Sequence, residues 1–209
     1  MGGYLNPGSD LFEMALRSQI FVDKSGLIEK TNRMLGTLQR FVCVSRPRRF
    51  GKSMAADMLA AYYERGEDAD LLFRSLKISK AESYRAHLNQ YDVIYLDITL
   101  FLSTLKQSDM LVAQIEQEII DDLAQSYPEI AVEHRLVDSL CKMNQITGRK
   151  LILIIDEWDA MFRECKGADE ILDNYILLLR SLFKSSLTDQ LFAGVYMTGI
   201  LPIKKYGHE

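Results

Sequence analysis

The chain has 209 residues, of which 48% are hydrophobic and 26% are charged, and its formal net charge is −4. This charge excludes an overall attraction to nucleic acid or to an anionic membrane, and three cysteines exclude a disulfide-rich scaffold. No cleavable signal or membrane-spanning apolar run is evident, so we expect no membrane association and a cytoplasmic location.

The sequence pattern predicts a single domain (1–209), in which an N-terminal segment (9–38) precedes a core (39–209). Apolar spacing predicts a helix over 10–17 with Leu11 and Met14 on one face, an extended stretch over 21–24 and a second helix over 25–33. In the core, the apolar run 41–45 predicts a first strand in which Cys43 is buried. Residues 71–78 are expected to be irregular, residues 81–88 to be helical and residues 93–98 to form a second strand.

An octet after the first strand has the composition of a phosphate-binding loop. It consists of Arg46, Pro47, Arg48, Arg49, Phe50, Gly51, Lys52 and Ser53. A helix is predicted to follow from Ser53 to Tyr63, with Met54 in its first turn. Backbone N–H groups of such a loop, together with the helix N-terminus, can surround the phosphates of ATP. Lys52 would reach the β- and γ-phosphates, and the Ser53 hydroxyl would bind Mg²⁺. The usual motif has glycine where this chain has Arg46, so the octet needs independent support.

The second half of the chain alternates helices and strands. The sequence predicts a helix over 109–124 and a second helix that ends at Gly148, each with a buried stripe of apolar residues. The stripe comprises Leu111, Ile115, Ile119 and Leu123 in the first helix and Val132, Leu136, Leu140 and Met143 in the second. A strand over 151–155, a helix over 171–182 and a last strand over 192–197 follow. This alternation predicts a three-layer α/β domain with a mainly parallel sheet.

Two carboxylates, Asp156 and Glu157, directly follow the most apolar pentamer of the chain. Such a pentamer predicts a strand buried on both faces, and open α/β sheets bind ligands at the carboxyl ends of their strands. Asp156 is expected to hold the hydration shell of Mg²⁺, and Glu157 to orient and polarise an attacking water, as in a Walker B motif. A solvated strand end would explain the acidic pair alone, but not its occurrence about a hundred residues after the octet.

Three residues near the strand ends have competing interpretations. Thr198, at the end of the last strand, fits a sensor that contacts the γ-phosphate or the attacking water, and it fits a simple strand cap equally well. Asp159 would add to the metal site or, in the preferred interpretation, cap the short helix that follows it. Trp158 is interpreted as a packing residue.

Four motifs carry a resemblance to a known family. They are residues 21–28 (FVDKSGLI), residues 45–53 (SRPRRFGKS), residues 156–159 (DEWD) and residues 197–200 (MTGI). The chain resembles the predicted AAA-ATPase-like family of bacteria and archaea, from about residue 9 to its end, with Ser25 and Trp158 as small departures. The resemblance explains Arg46 as a family trait and implies an ATP-binding P-loop domain. It implies that Lys52 and Ser53 bind phosphate and Mg²⁺, that Asp156 and Glu157 form Walker B, and that Thr198 is the sensor.

The resemblance also implies a C-terminal nuclease-like domain of the restriction-endonuclease type, which is not visible here. In such ATPases the strand order is 5-1-4-3-2, so this chain is expected to form a P-loop NTPase sheet truncated after strand 4. The first strand should then lie at a sheet edge. We expect that edge either to drive self-association or to be covered by the segment near Phe21 and Val22.

Three functions remain open from the sequence. The leading one is Mg²⁺-dependent ATP hydrolysis that regulates an associated nuclease-like domain, with nucleic-acid binding not indicated by charge. The alternatives are a non-catalytic nucleotide-sensing or scaffold module and a small-molecule phosphotransferase. Glu157 favours hydrolysis, because a sensor needs no water-orienting carboxylate. The family residues Asp23 and Lys24 either fix the N-terminal segment over the nucleotide pocket or form a salt bridge without a ligand role.

Overall fold

The computed structural model describes residues 3–66, 68–105, 109–130, 134–184 and 188–201. Its strands are β1 (Phe41–Ser45), β2 (Asp92–Asp97), β3 (Leu151–Asp156) and β4 (Phe192–Gly199). Its α-helices, in chain order, are α1 (Asp10–Leu16), α2 (Gly26–Met34), α3 (Lys52–Tyr63), α4 (Asp70–Phe73), α5 (Tyr84–His87), α6 (Ile98–Thr104), α7 (Leu111–Ser126), α8 (Leu136–Thr147), α9 (Ala160–Glu164), α10 (Asp169–Phe183) and α11 (Thr188–Leu191). Short 3₁₀ turns cover Lys77–Lys80 and Pro128–Ile130.

The four strands form one parallel sheet in the order β1-β4-β3-β2. This confirms the predicted α/β class, the parallel sheet and the relative order 1-4-3-2. All residues of β3 and β4 are buried, because helices cover both faces of the sheet. Alternate side chains of β3 lie on opposite faces of the sheet. Leu153 and Ile155 pack with the helices α6 to α10 on one face, whereas Ile152 and Ile154 pack with α1 to α5 on the other.

In the described part of the chain, β1 pairs with β4 alone and therefore lies at an edge of the sheet. Its side chains are correspondingly more open than those of β3, and the expectation that Cys43 is buried is wrong, since this residue is exposed. Phe41 is also 41% exposed, although its ring contacts Phe183 edge-on at 6.0 Å. An edge position leaves one side of a strand uncovered, whatever the hydrophobicity of its residues.

The N-terminal residues cover the opposite edge of the sheet. Leu5 forms an antiparallel bridge with Ile94 of β2, and the flanking backbone hydrogen bonds are Asn6 N to Val93 O (2.7 Å) and Tyr95 N to Tyr4 O (2.8 Å). Of the two alternatives expected for the β1 edge, cover by the segment near Phe21 and Val22 is wrong, because Phe21 packs against Phe12 and Val22 is exposed, whereas self-association stays a prediction. The N-terminal residues thus cover part of the β2 edge through this bridge and its flanking hydrogen bonds.

Several local predictions need correction. In α1 the buried residue is Phe12, while Leu11 and Met14 are exposed, so the predicted face is wrong. Residues 71–78 are not irregular throughout, because they include most of α4 and the start of a 3₁₀ turn, which bury Phe73 and Ile78. The helix predicted over 81–88 shortens to α5, and the second strand begins and ends one residue earlier than predicted.

The two long helices between β2 and β3 bury their predicted stripes. The buried set comprises Leu111, Ile115, Ile119 and Leu123 of α7 and Leu136, Leu140 and Met143 of α8, whereas the predicted Val132 lies outside the described residues. Gly148 ends α8 in the left-handed conformation (φ 66°), as expected of a helix C-cap. Within the ranges described above, no helix is both long and apolar enough to cross a bilayer.

Candidate functional site

The octet forms the connection from β1 to α3, as predicted. Gly51 precedes α3 in the left-handed conformation (φ 72°), which glycine adopts at little cost, and Arg49 also has a positive φ of 69°. The Arg46 N–H donates to the carbonyl of Gly199 at the end of β4 (3.1 Å). The loop is therefore anchored at the carboxyl ends of the strands, where the first turn of α3 offers free N–H groups.

The N-terminal segment supports this loop from outside. Lys24 Nζ donates to the carbonyl oxygen of Phe50 (2.8 Å), and a side chain at Gly51 would place its Cβ 2.8 Å from the same nitrogen. The carboxylate of Asp23 accepts the backbone N–H groups of Ser25 and Lys77, both at 2.8 Å. Lys24 thus holds the N-terminal segment against the loop, while Asp23 holds it against the 3₁₀ turn at Lys77, and neither contact is the salt bridge that was the second interpretation.

A cleft of about 390 Å³ opens beside the loop. It is lined by Arg48, Arg49, Gly51, Lys52, Ser53, Met54, Thr99, Glu157 and Arg163. The predicted residues Arg46, Pro47, Phe50, Asp156 and Thr198 are not among its lining residues. Of these, Pro47 offers its carbonyl oxygen to Lys52 Nζ at 3.5 Å, and Phe50 is exposed.

A carboxylate bridges two cations in this cleft. Glu157 Oε1 lies 3.2 Å from Lys52 Nζ, and Glu157 Oε2 accepts from Arg163 Nη2 at 2.5 Å. The three side chains are only 5%, 17% and 17% exposed for Lys52, Glu157 and Arg163. Water screens such pairs less than surface pairs, so the attraction between these charges is strong. The structure thus brings Lys52 and Glu157 together, and adds Arg163, which the sequence did not point to.

Asp156 and Thr198 meet where β3 and β4 end. The hydroxyl of Thr198 donates to Asp156 Oδ1, and the Glu157 N–H donates to the same oxygen at 3.0 Å. Both side chains are buried, and Trp158 N donates to the Thr198 carbonyl oxygen (2.9 Å). Thr198 therefore positions the Asp156 carboxylate in this structure, which is more than a strand cap does.

Asp159 occupies the N-cap position of α9, as predicted, but its side chain does not cap the helix. Its carboxylate makes no capping bond to α9, and its Oδ2 instead accepts the N–H groups of Ile200 (3.1 Å) and Leu201 (2.8 Å). Arg163 Nε lies 3.4 Å from the same oxygen. Trp158 is a buried packing residue, as predicted, and its ring meets that of Phe162 at 5.8 Å.

A further carboxylate lies one helical turn after Ser53. The pKa of Asp57 is raised to about 6, mainly because its carboxylate is partly buried. The negative charges of Asp156 and Asp97 also raise this pKa, whereas the hydrogen bond from Tyr95 lowers it. Asp97 itself caps α6, where its Oδ1 accepts the N–H of Thr99 (2.8 Å). Asp57 had no signal in the sequence beyond being an acidic residue within an apolar helix.

The side-chain oxygens near the strand ends determine how this site would hold a metal ion. Across the described ranges, no three His, Cys, Asp or Glu side chains cluster closely enough to hold a metal ion by themselves. Mg²⁺ commonly uses one or two protein oxygens and completes its shell with phosphate oxygens and water. Ser53 lines the cleft, and the hydrogen bonds that the Glu157 N–H and the Thr198 hydroxyl donate to Asp156 both end on Oδ1, so Ser53 and Asp156 fit such a shared site.

Comparison with known proteins identifies the family of the chain. None of the curated proteins matches the chain. The family described as Predicted AAA-ATPase, AAA-ATPase-like, matches residues 9–207, which include the loop, both strand ends and the N-terminal segment. The chain therefore belongs to the AAA-ATPase-like family.

Proposed function

We propose that this domain binds ATP with Mg²⁺ in the cleft beside the octet and hydrolyses it. The family supports a nucleotide-binding, ATPase-like role. The observation that carries the step to hydrolysis is the position of Glu157. Its carboxylate stands at the carboxyl end of β3, 3.2 Å from the lysine that begins α3, where a terminal phosphate and its attacking water would lie.

The phosphates are bound by the loop and by α3. The N–H groups of Gly51, Lys52 and Ser53 face the phosphates from the helix N-terminus, and Lys52 neutralises the β- and γ-phosphates. The side chains of Arg48 and Arg49 line the cleft and increase its positive potential. The other loop residues, Arg46, Pro47 and Phe50, shape the loop around this site, and Met54 lines the cleft from the first turn of α3.

The remaining roles belong to the strand ends. Ser53 and Asp156 would hold Mg²⁺, which when bound neutralises charge on the phosphates. Glu157 takes a proton from the attacking water, for which a carboxylate within reach of the water is required. Thr198 keeps Asp156 in place through its hydroxyl and, as a sensor, would contact the γ-phosphate or the attacking water. In a longer protein with a nuclease-like domain, the domain would regulate that partner, and the exposed β1 edge would support self-association.

One observation favours the non-catalytic alternative. Glu157 is engaged by both Lys52 and Arg163, one at each carboxylate oxygen, so in this arrangement neither oxygen is free to approach a water. A nucleotide-sensing module would keep this arrangement after ATP binds. A hydrolase must release Glu157 from it.

Glu157→Gln separates the two functions. The amide keeps the shape of the side chain but cannot take a proton, so the variant should retain ATP while its turnover falls at least about 100-fold. Phosphate release and ATP binding should be measured in the full-length protein, with the surface variant Glu13→Gln as a matched control that also loses an ion pair. Turnover at the wild-type rate in Glu157→Gln would remove Glu157 from the catalytic machinery. ATP binding by the wild type without turnover would favour the sensor.

A further inference from the structure

Glu157 lies between Lys52 and Arg163, and this position indicates that the two cations can bind an anion together. Lys52 Nζ and Arg163 Nη2 approach different oxygens of the same carboxylate, at 3.2 Å and 2.5 Å. They come from separate elements, α3 and α9, and both line the cleft. Two cations converging on one anion form an anion site, and a phosphate group offers them a similar pair of oxygens with more charge.

The main chain of Glu157 has an unfavourable conformation that the neighbouring residues maintain. Glu157 has φ 50°, a conformation that costs a non-glycine residue on the order of 1–2 kcal/mol. Its N–H is fixed by Asp156 Oδ1 (3.0 Å), and its carbonyl oxygen accepts the N–H of Ala160 (2.8 Å). The surrounding structure thus holds the main chain of Glu157, while its side chain is held by the two cations. Removing the ion pairs would free the side chain without disturbing the backbone.

The second carboxylate that contacts Arg163 keeps the guanidinium in place. Asp159 is fully buried, and its Oδ2 lies 3.4 Å from Arg163 Nε while it accepts two N–H groups from the chain after β4. This contact is an ion pair without a hydrogen bond, since Nε has no hydrogen-bond partner among the described residues, and its attraction keeps the guanidinium beside Asp159 when Nη2 exchanges one anion for another. A guanidinium held in this way loses little entropy on binding phosphate.

We propose that Lys52 and Arg163 form a subsite for the terminal phosphate of a nucleoside triphosphate, and that Glu157 competes with this phosphate for it. The proposal rests on the proposed ATP binding and deepens it. A triphosphate displaces the carboxylate from both cations and leaves Glu157 free to accept a proton from water. A diphosphate ends one phosphate group earlier, and we expect it to engage Lys52 without reaching Arg163. Arg163 thus makes the site discriminate ATP from ADP and couples that discrimination to the release of Glu157.

The affinities for Mg²⁺-ATP and Mg²⁺-ADP, measured by calorimetry in the full-length protein, test this subsite. In Arg163→Ala we expect the preference for ATP over ADP to fall at least about tenfold, because a charge-assisted contact to the last phosphate is lost. Arg163→Lys should recover part of the preference, since it restores a cation. Glu157→Gln should tighten ATP at least about threefold, and ADP less, because the competing anion is removed. Arg17→Ala, which removes an exposed arginine at the C-cap of α1, is the matched control.

The outcomes separate this inference from the function on which it rests. If the wild type binds ATP but Arg163→Ala leaves the ratio of the ATP and ADP affinities unchanged, the subsite is wrong while ATP binding stands. If the wild type binds neither nucleotide, the proposed function fails together with the subsite. Should Arg163→Ala fail to fold, Arg163→Gln keeps the aliphatic part of the side chain and an uncharged N–H donor near Asp159. It must show the same fall in preference, and an unchanged ratio in this variant overturns the proposal equally.

Discussion

Replacing Asp159 with alanine should destabilise the domain more than any surface substitution. The Asp159 side chain is fully buried, and it accepts the N–H groups of Ile200 and Leu201 at 3.1 and 2.8 Å, with Arg163 Nε at 3.4 Å. A hydrogen bond to a charged group contributes about 1.5 to 3 kcal/mol. Leu201 is exposed and Ile200 is half-buried, so their N–H groups regain some water in the variant. We therefore expect Asp159→Ala to lower the free energy of unfolding by about 3 kcal/mol.

Urea unfolding measures this loss directly. A decrease of about 3 kcal/mol shifts the urea midpoint without changing the m-value, and it corresponds to a Tm lowered by about 6 to 12 °C in a domain of this size. Asp159→Asn retains an oxygen that can accept both N–H groups, so it should cost about half as much. Asp138→Ala, at an exposed site on α8, is the control and should cost less than about 0.5 kcal/mol. A loss below about 1 kcal/mol in Asp159→Ala would refute the role of Asp159 in joining the ends of β3 and β4.

Two further predictions concern side chains that support the loop and α3. Asp57→Asn should stabilise the metal-free protein by about 2 kcal/mol at about pH 8 and by almost nothing at about pH 4, as thermal melts would show. The sign follows from the raised pKa of Asp57 (about 6), since the folded domain holds this proton more tightly than the unfolded chain and loses stability as pH rises towards 6. Lys24→Met removes the donor to the Phe50 carbonyl oxygen, so we expect titration with a fluorescent ATP analogue to show affinity weakened about threefold.

Each of these predictions has a clear contrary result. A stabilisation by Asp57→Asn that is equal at both pH values would mean that the charge of this carboxylate does not oppose folding. Lys24→Met with the ATP affinity of the wild type would mean that the loop keeps its shape without the N-terminal segment. Lys80→Met, in the 3₁₀ turn after α4, is the matched control for the second variant.

The core of the fold could be predicted from local apolar patterns. The pentamer 151–155 is buried at every position, as its continuous hydrophobicity requires in the middle of a parallel sheet. Cys43 shows the limit of this reasoning, because an apolar run identifies a strand but not whether a neighbour covers it. The predicted strand order already placed this strand at an edge, and exposure follows from that position.

The sequence motifs predicted residues of the candidate site, but they did not predict the side-chain contacts between them. Lys52 and Glu157 were each identified from a strand-end or loop pattern, and the parallel sheet brings them together. Arg163 could not be assigned, because its contact depends on the left-handed backbone at Glu157 and on the single turn of α9. Likewise, Lys24 and Phe50 lie 26 residues apart, and a hydrogen bond to a carbonyl oxygen leaves no residue-type signal in the chain.

The central claim, that the octet is an ATP-binding loop, is tested most directly by titrating the wild type and Lys52→Ala with a fluorescent ATP analogue and Mg²⁺. Lys52 is buried at the start of α3, so its loss removes the cation closest to the β- and γ-phosphates. We predict an affinity at least about tenfold weaker, or about 1.4 kcal/mol, with Lys30→Ala on the exposed side of α2 unchanged. Equal binding by the wild type and Lys52→Ala, with both proteins folded, would contradict the assignment.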